Sequence, residues 1–285
     1  MLKTKRNKYM RFLFQLTAMI LIAVLFAGCG KNTAASEDKP AEEVKSEDTI
    51  LPSEQQSENL EQQDGNSDIS GSPATASESY GAYIQAKGEL VSRLSDALAS
   101  NPETAFSSMS LLGISMVDLA LLPASSFGLG EASANMALGF LGAEDIVYSE
   151  NGNKYSVKYK GKDGSDYELQ GEYDKTADAL KCISLVDGKE TLTCEHRRTS
   201  YGYVSQTYVI DDDGSTYVYK LTVSGIDGVV GMSQVSEVPS SLTGSESIDF
   251  PKQCQEWYAI TGDKVTGVTA DGDEISFSYT PSDGE

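Results

Sequence analysis

The sequence predicts an α+β fold, with N-terminal helices packed on a long, curved, mainly antiparallel meander sheet that could curl into an incomplete barrel. Three observations lead there. Apolar residues recur at three- and four-residue spacing between Tyr83 and Leu98. A nearly uncharged segment, 104–143, is interrupted at Pro123, Gly128 and Gly130. From Ile146 onward the apolar period becomes two, and turn dipeptides recur every ten or so residues.

Taken in chain order, the first element is not part of that fold. Residues 1–28 carry Lys3, Lys5, Arg6, Lys8 and Arg11 and no acid, and Phe12–Ala27 is an apolar run interrupted only by Gln15 and Thr17. A basic start and a short apolar stretch are the n- and h-regions of a secretory leader. Sixteen residues are also short for a permanent span, which needs roughly 20. The run closes on Phe26-Ala27-Gly28-Cys29, which resembles the lipobox of bacterial lipoproteins: a bulky apolar residue, two small residues, then cysteine. Phe26 stands where that family most often has Leu. The resemblance covers residues 1–29 and implies cleavage before Cys29 with diacylglyceryl attachment to its sulfur. Two acyl chains hold a protein on a membrane where one holds it only marginally. The location implied is the extracytoplasmic face of a cell membrane.

Residues 29–79 follow as a tether. From 30 to 79 there are twelve acids against Lys31, Lys39 and Lys45, and no Phe, Tyr or Trp. Such a composition cannot bury enough apolar surface to offset ordering entropy, so a disordered spacer with a root-mean-square reach of roughly 40 Å is predicted. Loss of the leader removes five basic residues and no acid, taking the formal charge from −21 to −26. A chain this acidic repels phosphate backbones, which excludes nucleic acid as a partner and leaves membrane attachment to the lipid.

One domain is predicted over 80–285, with helices in 80–143 and strands in 146–280. Tyr83, Ala86, Leu90, Leu94 and Ala97/Leu98 form the buried stripe of the first helix, with Lys87, Glu89 and Arg93 off it, and Asn101-Pro102 ends it. Segment 104–143 has only Asp118 and Glu131 as charges. It reads as two short helices, each too short to cross a membrane, buried against the sheet. The sharper reading is that they line an apolar cavity, with Leu112, Met116 and Met136 as the lining residues. Alternation in Tyr155–Tyr159, Tyr167–Tyr173, Tyr217–Val223 and Ile275–Tyr279 marks strands. Asp163-Gly164, Asp187-Gly188, Asp213-Gly214, Asp227-Gly228, Gly262-Asp263 and Asp271-Gly272 mark turns, for about ten strands covered on one side only. Bacterial carriers with an incomplete barrel around helices share this layout, an analogy of fold that carries no weight for function.

Cys182, Cys194 and Cys254 remain beyond the leader. A three-residue connection, with Val186 opposite Glu190, brings Cys182 across from Cys194, and an extracytoplasmic location then favours a disulfide between them. The competing reading is three reduced, buried thiols. Cys194 and His196 share a strand face, but no paired metal-ligand spacing accompanies them, so no metal or other cofactor is predicted. Asp211-Asp212-Asp213-Gly214 fails as a calcium loop, because Val209 and Lys220 fall at its first and twelfth positions. Trp257-Tyr258 and the strand tyrosines read as core and cross-strand pairs rather than a sugar platform. His196 is the only histidine, no serine lies within Gly-x-Ser-x-Gly, and His-Glu-x-x-His is absent, so no enzyme is predicted. Two functions remain: a non-catalytic carrier of a small or apolar ligand, or an envelope interaction module with a solid core.

Overall fold

The computed structural model describes residues 73, 75–211 and 214–281. The leader, Cys29, nearly all of the tether and the Asp212-Asp213 pair lie outside the described residues.

Helix α1 (Ala76–Ser100) starts inside the stretch assigned to the tether. The cause is a capping box: the Glu78 amide donates to Thr75 Oγ1, and the Thr75 amide to Glu78 Oε2, each at 3.1 Å. Two of the four orphan donors of a helix start are thereby satisfied. The helix ends at Asn101, ahead of Pro102. Its buried side includes Tyr83, Leu90, Leu94, Ala97 and Leu98 as predicted, but also Lys87, which the sequence placed off the stripe.

Helix α2 (Ser108–Leu121) runs directly into a 3₁₀ turn (Leu122–Ser126), and α3 (Glu131–Gly139) follows Gly130 at φ 85°. Pro123 begins the turn rather than breaking the run, because its missing N–H falls among the free donors of a first turn. The first of the two pieces is therefore longer than predicted.

The strands are β1 (Glu144–Asn151), β2 (Lys154–Lys160), β3 (Asp166–Asp174), β4 (Ala179–Val186), β5 (Lys189–Thr199), β6 (Gly202–Ile210), β7 (Thr216–Ser224), β8 (Asp227–Val235), β9 (Glu256–Thr261), β10 (Lys264–Val268) and β11 (Glu274–Ser278). They form one eleven-stranded antiparallel sheet in sequence order, with β1 and β11 as its open edges. The fold is thus the α+β meander that periodicity predicts.

Register departs from prediction at two turns. Cys182 does face Cys194, yet the connection is the two-residue turn Asp187-Gly188, both at positive φ. A bulge between Ser184 and Leu185 leaves Thr191 as the extra residue and restores the register that a three-residue turn would have given. At the β7–β8 hairpin the turn is Gly225-Ile226, and Asp227-Gly228 already belongs to the strand.

The three α-helices among the described residues cover one face of the sheet. Beneath the C-terminal part of α1, Leu90, Leu94 and Leu98 meet Leu221, Val230, Tyr258 and Ile260. Beneath Tyr80, the end of α2 and α3, Leu121, Phe127 and Leu138 meet Val157, Leu169 and Leu180. Strand glycines admit the close approach: a Cβ on Gly171 would lie 2.2 Å from the Phe127 ring, and one on Gly228 would lie 2.6 Å from Leu90.

The other face is not bare, as had been predicted. Segment 236–250 straps it, with its backbone bonded to strand side chains. Gln206 Nε2 donates to the Ser240 carbonyl (2.9 Å), Thr222 Oγ1 to that of Ile248 (2.6 Å), and the Leu242 amide to Glu195 Oε2 (3.0 Å).

Candidate functional site

The helix layer has to be built from its buried side outward. Leu111, Ile114, Val117 and Leu121 of α2 point into the core at helical spacing. Val117 and Asp118 straddle the boundary, and Asp118 reaches back to Lys87 of α1. The ammonium donates to Asp118 Oδ1 at 2.5 Å and to the Ile114 carbonyl at 3.1 Å. Burial pushes the Asp118 carboxyl up, against the pull of Lys87. This pair locks α2 to α1.

Beside it, among the described residues, is a small void of about 10 Å³ in the helix–sheet core, touching Tyr83, Lys87, Ile114 and Tyr219. That is room for a single water. A second depression of about 320 Å³ is open to solvent and lies at the β2–β3 edge, around the stacked Tyr159 and Tyr167 rings (5.2 Å). Its rim is charged, with cross-strand pairs such as Lys158–Glu168 at 3.3 Å. Neither is an enclosed apolar cavity.

The three residues predicted to line a cavity are elsewhere. Leu112 is 54% and Met136 80% exposed, and Met116 is half-buried. Their helices do face the sheet, but these side chains are on the opposite side. Met109, Leu112, Met116 and Leu119 follow one another at i, i+3, i+7 and i+10 and make a second apolar row along α2, turned away from the core. Phe106 (87% exposed) precedes the row, and α3 adds Met136 on its outer side, with Phe140 (73% exposed) directly after its last residue. Because α2 and α3 both bury their inner rows against one sheet face, their outer rows face away from the sheet on the same side. Against the expectation that each piece is too short, Ser108–Ser126 is long and apolar enough to cross a membrane by length and composition, and an 18-residue apolar stretch of it is 28% buried.

A second grouping is polar and fully internal. Ser79, in the stretch read as tether, donates to Asp178 Oδ1 at 2.6 Å and lies 3.2 Å from His196 Nε2. With the serine proton committed to Asp178, His196 must donate Nε2–H to Ser79 Oγ. The imidazole stacks on Tyr83 (centroids 4.3 Å), and burial, reinforced by the Lys87 charge, pulls its pKa down to about 3. Asp178 is itself buried, with Oδ2 lacking a hydrogen-bond partner. These are the residue types of a hydrolase triad, but the order is wrong. A nucleophilic serine needs histidine as its acceptor and the acid behind the histidine. Here serine sits between the other two, and Ser79 is 0% exposed. The cluster fastens α1 to β4 and β5.

Cys182 and Cys194 are opposed but free, so the disulfide is replaced by two buried thiols. Burial raises both, Cys194 to about 11. Among the described residues no group of three His, Cys, Asp or Glu side chains converges as a metal site would require. The sequence signal missed for the outer face was the second row itself. A helix apolar on two sides was read as covered on two sides. No protein-family model, curated protein or solved structure matches this chain.

Proposed function

We propose that this chain is a lipid-anchored extracytoplasmic protein of a bacterial envelope, held at Cys29, whose folded domain is a non-catalytic interaction module. The observation that carries the second half is the inside-out placement of apolar residues in 104–143. The void beside those helices holds about 10 Å³, whereas a carrier of lipid-like ligands needs several hundred. Meanwhile Phe106, Leu112, Met136 and Phe140 face solvent. Exposed apolar rows of this size mark interaction surfaces in soluble domains. Support for the first half is the basic leader, the apolar run and Phe26-Ala27-Gly28-Cys29.

Mass spectrometry of the full chain purified from membranes tests both halves. The expected product begins at Cys29, carries a diacylglyceryl mass that Cys29→Ala abolishes, and holds no other lipid. A non-covalent lipid adduct that disappears on denaturation would reinstate the carrier.

A further inference from the structure

We propose that the outer rows of α2 and α3 rest in the surface of the bilayer to which Cys29 tethers the domain. This deepens the anchored-module reading above and rests on it. The tether supplies the first argument. The Ser77 amide donates to the Phe127 carbonyl at 3.1 Å and Ser77 Oγ to the Ser125 carbonyl at 2.6 Å. The start of α1 is therefore fixed to the connection between α2 and α3. The chain that leads to the anchor enters within the helix layer. The composition of residues 30–79 predicts a spacer with a reach of roughly 40 Å, which would keep the membrane at high effective concentration for this face.

The chemistry of the face is the second argument. Between 104 and 143 the charges are Asp118 and Glu131, and Asp118 is held by Lys87. Three serines of this stretch are satisfied by their own backbone, while Ser115 of α2 stays exposed. Ser108, Ser125 and Ser126 each donate to the carbonyl three residues earlier at 2.7 Å, which lowers the polarity they show outward. Leu111, Ile114, Val117 and Leu121 are committed to the core, so α2 cannot span a bilayer without dismantling the domain. It can lie along the interface with Met109, Leu112, Met116 and Leu119 turned down. Charge weighs against the rival occupant: two copies of a chain at −26 repel each other, whereas zwitterionic lipid carries no net charge to repel.

The test uses the full lipidated chain in phosphatidylcholine vesicles, with its mass read beforehand so that failure of the anchor is seen separately. Met136→Cys takes a polarity-sensitive dye, because Cys182, Cys194 and Cys254 are buried. Ser245→Cys, in the strap on the opposite sheet face, is the control. Nitroxide lipids should quench the dye at 136 and leave that at 245 unaffected. Leu112→Glu with Phe140→Glu should lower the inserted-to-free ratio roughly a hundredfold, at about tenfold per large apolar group. Added phosphatidylglycerol should weaken quenching, and salt restore it.

An unquenched probe overturns the proposal. If position 136 then cross-links between copies, the face is a homotypic contact and the interaction module survives. If it reacts freely with a water-soluble thiol reagent, neither lipid nor a second copy covers the face, and the bilayer proposal falls while the anchored module is left to a different partner.

Discussion

Consider lowering the pH from 7 to 4.5 around the one imidazole in the chain. His196 is fully buried between Ser79 and the Tyr83 ring, and its pKa falls from 6.5 to about 3. Folding therefore requires the neutral ring, while the unfolded chain takes up a proton as the pH drops below 6.5. A group with a depressed folded pKa contributes stability that is complete above its unfolded value and is lost progressively toward its folded value. The window is pH 6.5 to 3. At pH 4.5, two units into that window, the loss is about 3 kcal/mol. Acid also relieves the repulsion of a strongly negative chain, so total stability will change by less. The difference from His196→Gln isolates the term, since Gln keeps an N–H donor toward Ser79 but does not titrate. Urea unfolding of both proteins at several pH values should give curves whose gap closes by about 3 kcal/mol between pH 7 and 4.5. Parallel curves, or a ring that titrates near pH 6.5 by nuclear magnetic resonance, would refute the assignment of this histidine to a dry interior.

Other outcomes follow from the same coordinates. Lys87→Met strands Asp118 in a mostly apolar setting and should cost about 3 kcal/mol, of which Asp118→Leu in the same chain should recover most; recovery is read from denaturation midpoints. Thr75→Ala removes one arm of the capping box and should cost about 1 kcal/mol, with loss of amide protection confined to the first turn of α1. Gly171→Val drives a side chain into the Phe127 ring and should cost more than 2 kcal/mol, whereas Gly152→Ala, with no atom within 4 Å of the added carbon, should cost less despite its positive φ. In folded protein at pH 8 the thiols at 182 and 194 should resist alkylation, and both should alkylate in denaturant without reductant. A cross-linked peptide pair would restore the disulfide.

The sheet was legible because period-two alternation and Asp-Gly turns are local signals, and a meander pairs each strand with its sequence neighbour. The buried half of α1 was legible for the same reason. Its start was missed although Thr75-Ala76-Ser77-Glu78 is a capping box, because an acidic, serine-rich context was given priority. Lys87 was misplaced because its partner, Asp118, is 31 residues away, and no periodicity reports a charge that another helix will neutralise. Leu112 and Met136 were expected to line a cavity and are exposed instead, because composition does not reveal which side of an all-apolar helix meets the sheet. The register of Cys182 and Cys194 was right for the wrong turn. A bulge and a loop residue have equal effects on pairing, and only three dimensions tell them apart.

The sheet and its helices run on different clocks. Each strand finds its partner as soon as the next hairpin is complete. Helix α1 must instead wait for chain that is far downstream. Arg93 binds Asp227 and the carbonyls of Ile226 and Gly262, across 133 to 169 residues. Tyr83 reaches Ser205 across 122. A chain delivered N-terminus first at roughly 5–20 residues per second makes its most apolar helices early and covers them last, after a delay on the order of ten seconds. During that interval the inner rows of α1 and α2 are as sticky as the outer rows remain for good. Delivery beside a lipid surface would give these helices somewhere to wait.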